Sequence, residues 1–87
     1  MASKDELAGR FLNFAVAIID LGKLLLNSYW GRHINGQLFR AGTSAGSNYE
    51  EACAAESRAD FIHKLQIVLK ELRESKYWLK LIKAGKL

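Results

Sequence analysis

The sequence predicts an all-α fold, an antiparallel up-down bundle of three helices in a single domain that covers residues 1–87. Three observations lead to this prediction. The chain contains no proline, no segment alternates between apolar and polar residues, and apolar residues recur at the spacings of three and four that are typical of helices. The expected helices cover about residues 4–27, 33–54 and 58–84.

Composition limits the class of protein. Hydrophobic residues make up 49% of the chain and charged residues 25%, which is typical of a globular domain. The longest apolar run, FAVAII at Phe14–Ile19, is far shorter than the roughly 18 residues of a membrane span, so we expect no membrane partner. The polar start of the chain has no secretory segment, and the single cysteine, Cys53, excludes an internal disulfide. A cytoplasmic location is therefore expected.

The first helix begins with a capping box, because Ser3 is followed three residues later by Glu6. Gly31, together with the polar pair before Tyr29, predicts a loop at Tyr29–Arg32. The expected inward stripe of the first helix consists of Leu7, Phe11, Phe14, Ile18 and Leu25, widened on one flank by Leu12, Ile19 and Leu26.

The second helix carries a run of small residues, RAGTSAGSNYEEA, at residues 40–52. We predict a helix-packing seam there, formed by Ala41, Gly42, Ala45, Gly46 and Asn48. Small residues four apart let another helix approach closely, which offsets the cost of about 1 kcal/mol for each helical glycine. A phosphate-binding loop is disfavoured, because no strand precedes the glycines and no G-K-[ST] follows them. Asn48 is interpreted as a buried amide that bonds to backbone, and a ligand contact is the alternative.

The third helix begins with a similar cap, Ser57 with Asp60, and Gly85 is expected to stop it. Its main apolar stripe is Phe61, Leu65, Val68, Leu72, Leu79 and Ile82. A separate side carries Ile67, Trp78 and Leu81. Three short helices cannot cover all of this apolar surface, so these three residues are a candidate interface for self-association.

Reactive side chains form no convincing catalytic group. Asp60 and His63 have the spacing of some metal-binding helices, but no second such pair or further inward carboxylate is present. Glu50 and Glu51 are adjacent and point in different directions from a helix, and Cys53 lies between alanines. We therefore expect no enzymatic activity, no catalytic residues, no metal, no cofactor and no small-molecule substrate.

Basic residues in the last turns of the third helix are more informative. Arg73, Lys76, Lys80 and Lys83 recur at spacings of three and four and so share one face, which we call the basic stripe. The net charge is +4, which permits an anionic partner. A stripe of this kind is either a solvated face that complements the helix dipole or a surface for RNA or DNA phosphates.

Several dissimilar motifs, in order, resemble the bacterial 23S ribosomal RNA intervening-sequence proteins, also called four-helix-bundle proteins. The segment RFLNFAVAII at residues 10–19 fits this family, so the resemblance spans nearly the whole chain. The other matching pieces are Gln37-Leu38-Phe39-Arg40, Gly42-Thr43-Ser44, Asn48-Tyr49 with Glu51-Ala52, Ser57 with Asp60-Phe61-Ile62, and Tyr77-Trp78-Leu79.

The resemblance implies an antiparallel helical bundle that forms cyclic homo-oligomers, pentamers in the members that we would compare, with no established enzymatic activity. It also implies an association with RNA, because some members are encoded within ribosomal RNA genes and a related group accompanies diversity-generating retroelements as basic nucleic-acid-binding proteins. The usual fourth helix is not matched after Lys83, and the proline often found near Leu26 is absent. Two functions stay open: nucleic-acid binding by an oligomer, or a protein-binding or structural module.

Overall fold

The computed structural model describes residues 3–87, which form three helices. They are α1 (Lys4–Lys23), α2 (Tyr29–Cys53) and α3 (Arg58–Gly85). The all-α prediction is confirmed, and each helix starts after a serine whose hydroxyl accepts a backbone N–H three residues later. The caps predicted at Ser3 and Ser57 are present, with oxygen-to-nitrogen distances of 3.1 Å to Glu6 and Asp60.

The predicted loop at Tyr29–Arg32 is wrong, because these residues form the first turn of α2. Ser28 is the N-cap, and its hydroxyl accepts the N–H of Gly31 at 3.0 Å. A Cβ on Gly31 would lie well under 3.0 Å from the backbone oxygen of Leu25, so glycine serves close approach here rather than a break in the helix. Helix α1 ends at Lys23, earlier than the predicted end near residue 27. Leu25 lies in the turn that follows and is only 3% exposed, because it is buried in the core at this end of the bundle.

Helix α2 lies between the other two and runs antiparallel to both. Near the middle of α1, Ile18 lies against Gly42, and nearer its start Phe11 contacts Tyr49 with ring centroids 5.2 Å apart. On the other side, His33 at the start of α2 contacts Trp78 near the end of α3, with centroids 6.4 Å apart. Within residues 3–87, α1 and α3 are not neighbours at the level of their Cα atoms, so the bundle is open on that side.

The core has two parts, one toward each end of the bundle. At the end that holds the α1–α2 turn, the buried residues are Ile18, Leu25, Ile34, Leu38 and Ile82, with Phe14, Leu21, Trp78, Leu79 and Leu81 packed around them. At the other end they are Ala45, Tyr49 and Val68, surrounded by Leu7, Ala8, Phe11, Cys53, Leu65 and Leu72. Side chains of all three helices enter both parts, and this shared burial holds the open bundle together.

The alanines and glycines of the small-residue seam are close to α1 or buried in the core. Ala41 and Ala45 are fully buried, and a Cβ on Gly42 would collide with the end of the Ile18 side chain. A Cβ on Gly46 would lie 3.2 Å from the Cβ of Phe11. The seam therefore includes the contact of α2 with α1, where the missing glycine side chains let α1 approach.

Asn48 is half-buried, and its amide nitrogen donates to the backbone oxygen of Ser44 at 2.9 Å. This confirms a backbone hydrogen bond, but the partner belongs to the same helix. The bond therefore satisfies the amide without fixing the register of α2 against its neighbours.

Two predicted details differ from the structure: the burial of some apolar stripe residues and the residue that ends α3. The flank residues Leu12, Ile19 and Leu26 are exposed, and so is Phe61 at the start of α3. At the other end of α3, Gly85 is still helical, and the left-handed residue that stops the helix is Lys86, with φ of 58°. The N–H of Leu87 then bonds to the oxygen of Ile82 at 3.1 Å, which closes the last turn.

Candidate nucleic-acid interface

The basic stripe lies on the outer face of α3. Arg73, Lys76, Lys80 and Lys83 are all exposed, and none of them forms an ion pair within residues 3–87. From Arg73 to Lys83 the stripe covers about 15 Å of helix, at 1.5 Å per residue. Four cations without carboxylate partners over this distance make a surface that can meet several phosphates of one strand.

Arg40 shows what a structural cation looks like in the same molecule. Its guanidinium donates to Glu71, with a nitrogen-to-oxygen distance of 3.0 Å, and also to Glu74. Glu71 is buried and needs this partner, because an unpaired carboxylate in the protein interior is strongly destabilising. These two bridges are not predicted from the sequence, because the partners are more than 30 positions apart; the only local signal is the presence of two carboxylates within the apolar part of α3.

The same network holds Trp78 in place. Its indole N–H donates to Glu74 at 3.1 Å, and its ring meets the ring of Tyr77 edge-on with centroids 5.1 Å apart. The hydrogen bond from Trp78 and the ion pair with Arg40 hold the pKa of Glu74 below its usual value. Trp78 is half-buried and packs against the core, so it does not extend among the lysines.

Aromatic side chains are concentrated at this end of the bundle. Tyr29 and Trp30 start α2, are 68% and 67% exposed, and contact each other edge-on at 5.1 Å between centroids. Tyr77, between Lys76 and Lys80 along α3, is 57% exposed. A groove of about 370 Å3, which we call the aromatic groove, is lined by Tyr29, Trp30, His33, Ile34, Trp78 and Leu81. Exposed rings and cations thus occur together at one end of the molecule.

The candidate self-association residues are less exposed than expected. Ile67, Trp78 and Leu81 are half-buried, and the last two pack against the core. More apolar surface is exposed along the outer side of α1 and α2, which we call the α1–α2 face. Leu12, Ile19, Leu26 and Phe39 project there, beside two grooves of about 450 and 290 Å3. The α1–α2 face therefore exposes more apolar surface to a partner than Ile67, Trp78 and Leu81 do.

The remaining reactive residues are not brought together. The backbone N–H of Asp60 donates to the hydroxyl of Ser57, the N-cap of α3, and the described residues contain no group of three or more potential metal ligands. Cys53 is half-buried in the core near Tyr49, whose pKa is raised chiefly by burial. Among residues 3–87, no helix is both long enough and apolar enough to cross a membrane.

Comparison with known proteins assigns the chain to a family. Residues 8–87 match the model of the 23S rRNA-intervening sequence protein family. Among solved structures, the chain is similar to a protein of unknown function from the S23 ribosomal protein family of Bacteroides thetaiotaomicron VPI-5482. The two are 45% identical, with a TM-score of 0.86 over 95% of this chain and 75% of that chain. No curated protein matches. The fold, the ordered motifs and the match to nearly the whole length place this chain in the 23S rRNA-intervening sequence protein family.

Proposed function

We propose that this protein is a non-catalytic, self-associating helical bundle that binds nucleic acid, with RNA as the first candidate, through the basic stripe on α3. The observation that carries the proposal is the contrast between two kinds of cation. Arg40 is bound to two carboxylates, whereas Arg73, Lys76, Lys80 and Lys83 are exposed and form no ion pair within residues 3–87. The net charge of +4 and the family's link to ribosomal RNA genes support the same assignment.

Salt dependence tests the phosphate contacts quantitatively. Each contact to a single strand contributes about −0.7 to the slope of log K against log salt, so four contacts give about −2.8. Affinity of one stripe for a 12-nucleotide RNA should then fall about 50-fold between 50 and 200 mM salt. Replacing Lys76 and Lys80 by glutamine should reduce the slope to about −1.4, and the fall to about 7-fold.

A matched control removes the same charge elsewhere. Lys4 and Arg10 are exposed near the start of α1, at the opposite end of the bundle from the stripe. Their double substitution by glutamine should leave the salt slope unchanged. Equal effects of the two double variants would mean that only net charge matters, and no binding at 50 mM salt would remove the nucleic-acid function altogether.

Self-association is the second part of the proposal. Its support is the exposed apolar α1–α2 face, where Leu12 is 66% exposed. Contiguous apolar surface of several hundred Å2 is typical of an interface. Repetition of the stripe around a symmetric oligomer, a pentamer in the resembling members, would multiply the phosphate contacts. A stable monomer in sedimentation experiments at micromolar concentration would contradict this part.

The same surface favours one alternative, a protein-binding or structural module without nucleic-acid binding. In that case the lysines only keep the bundle soluble. The two functions are separated by the RNA titration at low salt, because a structural module has no reason to bind RNA in a manner that depends on Lys76 and Lys80.

A further inference from the structure

The aromatic groove and the basic stripe lie toward the same end of the bundle, where α3 ends. Exposed apolar surface that is concentrated in one region is typical of an interaction site, and Tyr29, Trp30 and Tyr77 are each more than half exposed. All three are at the end of the bundle where α2 begins and α3 ends. Both tryptophans of the chain, Trp30 and Trp78, line the groove.

We propose that the aromatic groove binds an unpaired nucleobase, so that the protein recognises single-stranded nucleic acid in preference to duplex. This inference rests on the proposed function, since it specifies the form of nucleic acid that the basic stripe meets. The phosphates of the strand lie on the stripe, and at least one base stacks against the rings of the groove.

One wall of the aromatic groove is the ring of Trp78, which its neighbours hold in place. The indole N–H of Trp78 is used by Glu74 at 3.1 Å, and Glu74 is in turn paired with Arg40. His33 packs edge-on against the same ring. The ring therefore offers its apolar surface rather than a hydrogen-bond donor, which suits stacking of any base and does not select a sequence.

A line of side chains on α3 connects one cation of the stripe, Arg73, to the groove. Tyr77 follows Arg73 by four residues and precedes Leu81 by four, so these side chains form neighbouring steps along α3. This line of side chains runs from Arg73 of the stripe, through the exposed ring of Tyr77, to Leu81, which lines the groove. A strand that crosses α3 here meets positive charge first and aromatic surface next, which is the combination found at single-strand sites.

Duplex nucleic acid cannot use both surfaces. Its bases are stacked on each other inside the helix, so it presents phosphates to the stripe but no free base to the rings. The expected consequence is a difference in affinity between single-stranded and double-stranded ligands at equal salt. Since stacking does not involve ions, the difference should persist as salt rises.

Intrinsic tryptophan fluorescence tests the inference without a label, because both tryptophans line the groove. The probes are a 12-nucleotide oligouridine and a 12-base-pair RNA duplex at 50 mM salt. The single strand should quench the fluorescence on binding, and the duplex should not. Trp30→Ala should weaken single-strand binding by about 5- to 150-fold, the effect of one stacked base, and leave duplex affinity and both salt slopes unchanged.

Phe61→Ala is the matched control, because Phe61 is an exposed ring at the start of α3, at the opposite end of the bundle. It should not change single-strand affinity. Equal affinity for both ligands, with Trp30→Ala silent, would overturn the inference and leave the proposed function standing. Loss of the oligomer in Trp30→Ala, without an effect on RNA affinity per subunit, would assign the groove to self-association and also overturn it. Absence of all RNA binding would refute both.

Discussion

Substitution of Gly42 by alanine tests the packing of α1 on α2. An ideal Cβ at this position lies well under 3.0 Å from the Cδ1 of Ile18, which is itself only 2% exposed. Normal carbon contacts are 3.5–4.0 Å, so Ile18 must withdraw by on the order of 1 Å inside a packed core. Such overpacking costs about 1–3 kcal/mol, against a gain of about 1 kcal/mol from the better helix propensity of alanine. We expect Gly42→Ala to be neutral or destabilising by up to about 2 kcal/mol.

Gly36 is the matched control within the same helix. It is exposed, and a Cβ there meets nothing within 4 Å. Gly36→Ala should therefore show the propensity gain alone, about 1 kcal/mol of added stability. The difference between the two glycine variants measures the steric term at the seam.

Ile18→Val identifies the atom responsible, because it removes Cδ1. In the original chain, Ile18→Val should lower the free energy of unfolding by about 0.5–1.5 kcal/mol. In the Gly42→Ala background the same substitution should destabilise less, or stabilise, because it relieves the contact with the new Cβ. Chemical denaturation and thermal melting give these values, and 1 kcal/mol corresponds to about 4–8 °C for a domain of this size. If Gly42→Ala stabilised the protein as much as Gly36→Ala, the close approach of α1 at this position would be refuted.

Three further predictions concern stability. Ser28→Ala should destabilise by about 0.5–2 kcal/mol in denaturation experiments through loss of the α2 cap, while Ser47→Ala, on an exposed face of the same helix, should not. Gly31→Ala should cost about 1–3 kcal/mol or more, because its Cβ would meet a backbone oxygen that cannot rotate away; an unchanged melting temperature would contradict this. The pKa of Glu74 is lowered from its ordinary 4.5, so its contribution is present above that pH and lost as the pH falls toward the lowered value. Glu74→Gln should therefore lose less stability between pH 5 and pH 3 than the original chain, and Glu56→Gln, an exposed loop control, should not differ from it.

Local signals in the sequence were sufficient for most of the fold. The serines at positions 3 and 57 correctly marked the starts of α1 and α3, because an N-cap is a local interaction. Two errors have different origins. Leu25 continues the apolar pattern of α1 because it covers the end of the core, and this tertiary burial extends the predicted helix beyond Lys23. Gly31 indicates a helix break by its type, whereas Ser28, a local N-cap whose hydroxyl accepts the N–H of Gly31, starts α2 there.

The candidate site was only partly predictable. The basic stripe follows from the helical spacing of Arg73 and the three lysines, and the structure shows these side chains exposed. The bridges of Arg40 to α3 depend on which turns of two helices face each other, and no local pattern fixes that register. The aromatic groove is also a product of register, since it joins the first turn of α2 to the last turns of α3.

The most direct test of the central claim, that the end of α3 binds nucleic acid, is amide chemical-shift mapping with a 12-nucleotide RNA. We predict that the largest shifts fall at residues 73–83 of the stripe and 29–33 at the start of α2. Residues near the start of α1 and of α3, at the opposite end, should be unaffected. Shifts centred on that opposite end, or no shifts at low salt, would contradict the account.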